Sequence, residues 1–198
     1  MSEVQSESRR VHRSYPQTVS LSDGRQVRLR LMTPGVDVYR LHAFASSLPK
    51  DDLQFLRVDI TRLMAVVHWA QNIKAGLTVT VLAEDNDGQV IGYASVHNDQ
   101  VSWQRHLGEL RIQVGPAYRS CGLGGLLGKE IFAIAPDLGI ERLVAQMRAD
   151  QRQAIALVER HGFKHEAVLH DFVIGPDGRK NDLVVMVRNV AQVGSGVQ

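Results

Sequence analysis

The chain has few of the features that mark secreted, membrane-spanning or disulfide-bonded proteins. It contains a single cysteine in 198 residues, so it has no internal disulfide, as is usual in a reducing compartment. No apolar run approaches the roughly 20 residues that a membrane-spanning helix needs. The first ten residues contain no apolar stretch of the kind found in secretory signals. We therefore expect a cytoplasmic protein without a membrane partner.

The charge balance gives no support for a nucleic-acid partner. The formal net charge is only +2, and that class of partner requires a clustered basic surface. Arg25, Arg28 and Arg30 alternate along one early segment, which predicts a solvent-facing row of a strand. We therefore expect no nucleic-acid binding.

Length and composition are those of one globular domain. Hydrophobic residues make up 44% of the chain and charged residues 22%, and 198 residues suffice for one core but are few for two. Residues 1–14 are polar and without periodicity. We expect a mobile leader over 1–14, a single domain over 15–190 and a tail over 191–198.

Hydrophobic periodicity and turn residues predict the element order βααβββαβαββ. The strands are expected at 25–32, 77–83, 90–96, 108–114, 142–147, 166–174 and 183–187. The helices are expected at 38–45, 60–74 and 123–134 and over a short segment that carries 154–158 and ends at Gly162, with a loop at 46–52 between the first two. This pattern places the chain in the α/β (α+β) class.

The most informative stretch runs from 110 to 128. Its first half alternates apolar and polar residues as a strand does, and it breaks at Gly115-Pro116. Arg119, Gly122 and Gly124 then form an R-x-x-G-x-G run that leads into apolar residues at helical spacing. The first amides of a helix lack internal partners and lie at the positive end of its dipole. The stretch therefore predicts a cradle for a pyrophosphate.

Two familiar phosphate motifs do not fit this stretch. A nucleotide P-loop ends in Gly-Lys-Ser/Thr, but Gly125 and Leu126 follow Gly124 here. A dinucleotide fingerprint that starts at Gly122 needs a glycine at position 127, which is Leu127.

The run instead resembles the coenzyme A signature of the GNAT superfamily of N-acetyltransferases. A second segment, 143–163, is similar to the family's second signature: a strand followed by Ala-Ile-Ala-Leu-Val-Glu-Arg-His-Gly-Phe. The closing residues 177–186 resemble its last hairpin. The resemblance covers about residues 25–188. It implies a single GNAT-like domain with a mixed central sheet of about six to seven strands, helices on both faces and splayed central strands.

The resemblance also assigns a site for acetyl-CoA as cosubstrate. It implies that Ile112, Gln113 and Val114 contact the pantetheine arm and the oxyanion, and that Gln151 also reaches the pantetheine. It gives the pyrophosphate contacts to Arg119, Ser120, Cys121, Gly122, Leu123, Gly124 and Gly125. No metal is expected, because His161, His165 and His170 cross a helix end and a strand instead of sharing one face.

An amine acceptor is an ammonium ion at neutral pH and must lose a proton before it attacks a thioester. Glu109 is the candidate general base, because its register resembles that of a glutamate in acetyltransferases of protein lysines; the alternative is an ordinary strand-edge carboxylate. The second signature closely resembles ribosomal-protein alanine acetyltransferases. Those enzymes have a glutamate where this chain has Gln146 and a tyrosine where it has Val158. The acid–base scheme of that subfamily is therefore absent here, and the general acid is unassigned.

We therefore predict an N-acetyltransferase that transfers acetyl directly in a ternary complex. The segment Phe55-Leu56-Arg57 resembles an acceptor-side loop of bacterial protein lysine acetyltransferases, so a protein lysine is slightly favoured over a small-molecule amine. The alternative is a catalytically silent module that senses acyl-CoA, as the residues Gln146 and Val158 allow. The resemblance also suggests a homodimer.

Overall fold

The structure, a computed structural model, describes residues 11–53, 58–99, 103–175 and 177–190. The strands are β1 (Gln17–Ser20), β2 (Gln26–Leu31), β3 (Thr78–Glu84), β4 (Val90–His97), β5 (Leu107–Val114), β6 (Arg142–Arg148), β7 (Lys164–Ile174) and β8 (Lys180–Asn189). The α-helices are α1 (Val38–Ser47), α2 (Lys50–Leu53), α3 (Leu63–Lys74), α4 (Leu123–Ile134) and α5 (Arg152–Arg160). Short 3-10 turns lie at Pro116–Tyr118 and Ala135–Leu138.

All strands of the described residues join one mixed sheet in the order β1-β2-β3-β4-β5-β6-β8-β7. The α/β class is confirmed, but the sheet has eight strands where six to seven were expected. The additional strand is β1, four residues whose alternation of half-buried and exposed side chains is too short to show a period. The expected loop at 46–52 also contains the single-turn helix α2, and α3 begins at Leu63 instead of at 60.

Helices cover both faces of the sheet. On one face α4 packs its apolar residues Leu123, Leu127 and Ile131 against the strands, and all three are fully buried. On the other face α1 and α3 enclose Tyr93 of β4 together with Trp69. No helix of the described residues is long and apolar enough to cross a membrane.

The two central strands separate after a short contact, as expected. Parallel pairing of β5 with β6 covers only 107–109 against 142–144. Beyond this point β5 continues paired to β4 alone, and β6 continues paired to β8 alone. A gap therefore opens between the C-terminal halves of β5 and β6.

The described residues just before β1 are fastened to the domain, although the sequence predicts a mobile leader that includes 11–14. The Arg13 guanidinium donates to both carboxylate oxygens of the buried Glu130 on α4, and the Tyr15 hydroxyl donates to one of them at 2.7 Å. Burial is the main cause that raises the pKa of Tyr15. This part of the chain holds the outer surface of α4.

The expected solvent-facing row of arginines on β2 is wrong for Arg30. Its guanidinium donates to Asp37 at 2.6 Å and to Glu84 at 2.6 Å, and only 15% of its side chain is exposed. Both carboxylates are buried, and Arg40 contacts both of them as well. Asp37 precedes α1 and Glu84 lies on β3. The alternating pattern of β2 in the sequence therefore does not indicate either partner.

We expect Arg30→Gln to lower the free energy of unfolding by about 3 kcal/mol near neutral pH, because it leaves two buried carboxylates with one cation fewer. Burial alone raises the pKa of Asp37, but hydrogen bonds, first among them those from Arg30, outweigh it and hold that pKa below its usual range. A depressed folded-state pKa stabilises the fold above the unfolded pKa of about 4, and the gain is lost as the pH falls.

The loss caused by Arg30→Gln should therefore shrink when urea denaturation is repeated at about pH 3. Arg28→Gln is the matched control on the same strand, because its half-exposed side chain reaches Glu84 only at 4.0 Å, and it should change stability by less than about 0.5 kcal/mol. Equal losses for the two variants would contradict the account of this network.

Candidate active site

The gap between β5 and β6 exposes alternate peptide groups of β5. The Gly115 N–H donates to the Ile91 carbonyl at 2.8 Å, which fixes the phase of the antiparallel ladder between β4 and β5. Because ladder bonds fall on every second residue, the peptide groups of Ile112 and Val114 face the gap. The peptide group of Gln113 faces β4 instead, so this residue presents its side chain.

A row of unpaired amides begins where β5 ends. From Ser120 to Gly125, six consecutive backbone N–H groups donate to no acceptor among the described residues. The Leu126 N–H, which donates to the Gly122 carbonyl at 3.1 Å, is the first of α4 to be satisfied. Ser120 and Gly122 both have positive φ, 59° and 89°. These two residues turn the chain into α4, so that the unpaired amides lie at the N-terminus of the helix. Six amides at a helix N-terminus form an anion-binding cradle.

The glycines of the cradle allow close packing against α5. A Cβ on Gly124 would lie 3.3 Å from the Leu157 side chain, and one on Gly125 would lie 3.4 Å from His161. Leu123 and Cys121 fill the space beneath the cradle, both buried. These side chains hold the loop in place, and its backbone faces outward.

Two polar residues assigned to the cofactor are partly used by the fold. Arg119 donates from Nε to the Val114 carbonyl at 3.2 Å and contacts Asp52 of α2. Its side chain therefore connects the loop to the end of β5 and to α2. Gln151 lies at the start of α5, where its side-chain oxygen accepts the Arg148 N–H at 2.9 Å. The amide NH₂ of Gln151 is the part that can meet a ligand.

A groove continues from the cradle between α4, α5 and the turn after β1. It encloses about 470 Å³, and its lining includes Lys129, Arg160 and His161. Burial lowers the pKa of His161, and the charges of Arg188, Lys129 and Arg160 lower it further. The groove is therefore basic. Sequence reasoning missed these residues, although Lys129 follows Gly122 by seven positions and hence lies on the same face of α4.

A separate cavity of about 290 Å³ lies where β5 and β6 begin to separate. Glu109, His97 and Gln146 line it, together with Val144. Glu109 stands opposite His97 in the ladder between β4 and β5, and its Oε1 accepts from Nε of Arg111 at 3.0 Å. The side chain of Glu109 is 22% exposed. The candidate base therefore borders a cavity beside the gap.

His97 is a lining residue that no sequence pattern singles out. Its ring nitrogens lie 2.9 Å from the Ser95 hydroxyl and 3.0 Å from the Thr78 hydroxyl, and Trp69 packs against the ring. The antiparallel pairing of β4 with β3 and β5 places His97 between Thr78 and Glu109, and α3 supplies Trp69. Val158, in contrast, is buried in the core. The segment 55–57 lies outside the described residues.

Comparisons with known proteins agree with this geometry. The model of the Acetyltransferase (GNAT) family matches residues 46–163, which is more than half of the chain. YwnH of Bacillus subtilis, a predicted phosphinothricin acetyltransferase, is 30% identical to this chain over 112 residues. The match covers 56% of this chain and 68% of YwnH.

Solved structures share the fold. A GNAT-family acetyltransferase from Streptococcus pneumoniae superposes with a TM-score of 0.73 at 24% identity, covering 83% of this chain and 99% of that one. The acetyltransferase yncA from Salmonella typhimurium, whose structure contains its cofactor acetyl-CoA, gives a TM-score of 0.70 at 19% identity, covering 85% of this chain and 98% of that one.

We expect Gly122→Ala to weaken acetyl-CoA binding by about tenfold, because a Cβ opposes the φ of 89° that places the cradle amides. Isothermal titration calorimetry with acetyl-CoA measures the effect. Gly178→Ala is the matched control: its φ is 75°, a Cβ at either glycine would meet no atom within 4 Å, and Gly178 lies in the turn between β7 and β8. Equal affinities for Gly122→Ala and the wild type would contradict the assignment of the cradle.

Proposed function

Because the chain belongs to the GNAT acetyltransferase family, we propose that it moves acetyl directly from acetyl-CoA to a primary amine, with Glu109 as general base. The family is one of acetyl-CoA-dependent N-acetyltransferases, so the enzyme class and the cosubstrate follow from membership. The observation that carries the rest of the proposal is the row of six unpaired amides at the end of the strand that borders the gap.

The residues present fit acetyl-CoA along its length. The cradle amides from Ser120 to Gly125 can donate to the pyrophosphate, whose charge the dipole of α4 favours. Ile112 and Val114 offer peptide groups to the amides of the pantetheine arm. Lys129 and Arg160 supply positive charge in the groove beyond the cradle, where the remaining phosphate of the coenzyme can bind.

The chemistry is proton removal followed by thioester attack. Glu109 accepts a proton from the ammonium of the acceptor, directly or through water, and the neutral amine then attacks the acetyl carbonyl. A backbone N–H of β5 at the gap stabilises the oxyanion that develops on this carbonyl. The thiolate then leaves and the nitrogen loses its second proton, which solvent can carry to the thiolate, whose thiol has a pKa near 8.5.

Two classes of acceptor fit this scheme. A protein lysine is favoured by the register of Glu109, which resembles that of lysine acetyltransferases. A small-molecule amine is favoured by the similarity to YwnH. Both require the same base and the same cavity, so an amine panel with a lysine-peptide mixture separates them.

We also propose a homodimer formed through β7. This strand forms one edge of the sheet. Its exposed apolar side chains include Phe172 and Ile174, which are 63% and 73% exposed. Sedimentation equilibrium should give a dimer for the wild type and a monomer for Ile174→Glu. A wild-type monomer at all concentrations would contradict the proposal.

We expect Glu109→Gln to lower kcat by at least about 100-fold, because glutamine has nearly the same shape but cannot accept the proton. Acetyl-CoA affinity should stay within about twofold of the wild type, because the cradle is untouched. Release of free coenzyme A thiol against the amine panel measures the rate, and calorimetry measures the affinity. Glu141→Gln is the control, since Glu141 lies exposed just before β6 and outside the strand proposed for the dimer.

A rate for Glu109→Gln within a few-fold of the wild type would overturn the assignment of the base. Acetyl-CoA binding without thiol release on any amine would favour the silent acyl-CoA sensor, the alternative that Gln146 and Val158 allow. The two results are distinguishable because acetyl-CoA binding and thiol release are both measured on the same protein sample.

A further inference from the structure

Arg111 is a half-buried arginine whose side chain the fold uses only in part. It lies on β5 between Glu109 and Gln113, and 19% of its side chain is exposed. Its Nε donates to Glu109. Its two terminal nitrogens bond to no residue that the structure describes, and neither is among the buried polar atoms that lack a partner. Solvent can therefore reach both of them.

Two other arginines of low exposure donate from terminal nitrogens to carboxylates. Arg30, 15% exposed, donates from both to carboxylates. Arg148, 17% exposed, grips Asp150 through Nε and a terminal nitrogen. Confining a guanidinium without satisfying its donors gains the fold little. Arg111 is thus the exception among these three.

Arg111 lies on the same face of β5 as the candidate base, Glu109, which lines the cavity beside the gap. Side chains alternate along β5, so Arg111 shares a face with Glu109 and Gln113, whereas the peptide groups of Ile112 and Val114 face the gap. Its strand partner is Ser95, which is neutral. Burial raises the pKa of Tyr93 nearby, and the charge of Arg111 opposes that rise. Glu109 is the carboxylate that the guanidinium contacts.

We propose that the terminal nitrogens of Arg111 bind an anionic group of the acceptor, so that the substrate is a small primary amine carrying a carboxylate or a comparable oxyanion. This inference rests on the proposed function. A guanidinium offers two parallel N–H donors that match the two oxygens of such a group. The bond from Nε to Glu109 restricts the orientation of the guanidinium and leaves its two terminal nitrogens for the anion.

The separation of amine and anion in the substrate follows from the same contact. Because Glu109 and the Arg111 guanidinium touch, an amine at the base and an anion at the arginine must be only a few bonds apart. An amino acid meets this condition. A lysine side chain within a protein does not, because the carboxyl group of its own residue is an amide in the chain.

Paired acceptors test the proposal. Each of a set of amino acids is compared with its own carboxamide, which keeps the amine and the side chain and removes the charge. We expect the wild type to show kcat/KM at least about tenfold higher for the acids, mainly through KM. Arg111→Gln should abolish this preference, and Arg111→Lys should keep part of it because the charge remains.

Arg28→Gln is the control, since it removes an arginine from β2, away from the cavity, and it should leave the preference intact. Acetyl-CoA affinity by calorimetry and the melting temperature should be close to wild type in the Arg111 variants, which shows that they are folded. A wild type that prefers the amides, or lysine peptides, would overturn this inference and leave the proposed function standing. No thiol release on any acceptor would overturn both.

Discussion

The structure depends on one interruption of hydrogen bonding: β5 and β6 pair over 107–109 and then part. A parallel sheet normally satisfies both edges of every inner strand, so the interruption leaves inner-strand peptide groups unpaired in the middle of the domain. The fold tolerates this because β4 and β8 continue the sheet on either side. A ligand that supplies amide groups to the gap restores the missing pairing.

The same strand brings the other parts of the site together. Its end at Gly115 leads through a short turn into the cradle and α4, so a ligand in the gap meets the unpaired amides at once. Its opposite face carries Glu109 and Arg111, which adjoin each other. The groups that we propose to bind cofactor and acceptor therefore lie on or next to one strand, and their relative positions depend on its register with β4.

The predictions that succeeded concern features coded locally. The row of unpaired amides at the start of α4 was predictable because a strand break, glycines and helical spacing lie within about twenty residues around Gly122, whereas its binding of a pyrophosphate stays a prediction. The assignments of individual site residues, Glu109 among them, stay predictions. Features made by separate elements could not be found: alternation predicts a solvent-facing row that includes Arg30, whereas its partners are Asp37, which precedes α1, and Glu84 of β3. His97 became a candidate only when the ladder placed it opposite Glu109, whereas Arg111 shares a face with Glu109 two residues away on β5 and its unbonded terminal nitrogens became visible only in the structure.

The most direct test of the account is a titration of the ¹⁵N-labelled protein with acetyl-CoA, followed by backbone amide resonances. The account predicts that the largest shifts occur at Ile112, Val114 and the cradle from Ser120 to Gly125, since these amides gain hydrogen-bond acceptors. Amides of β4 that already donate within the sheet should shift less. Saturable binding that leaves the cradle and gap amides unchanged would contradict the account.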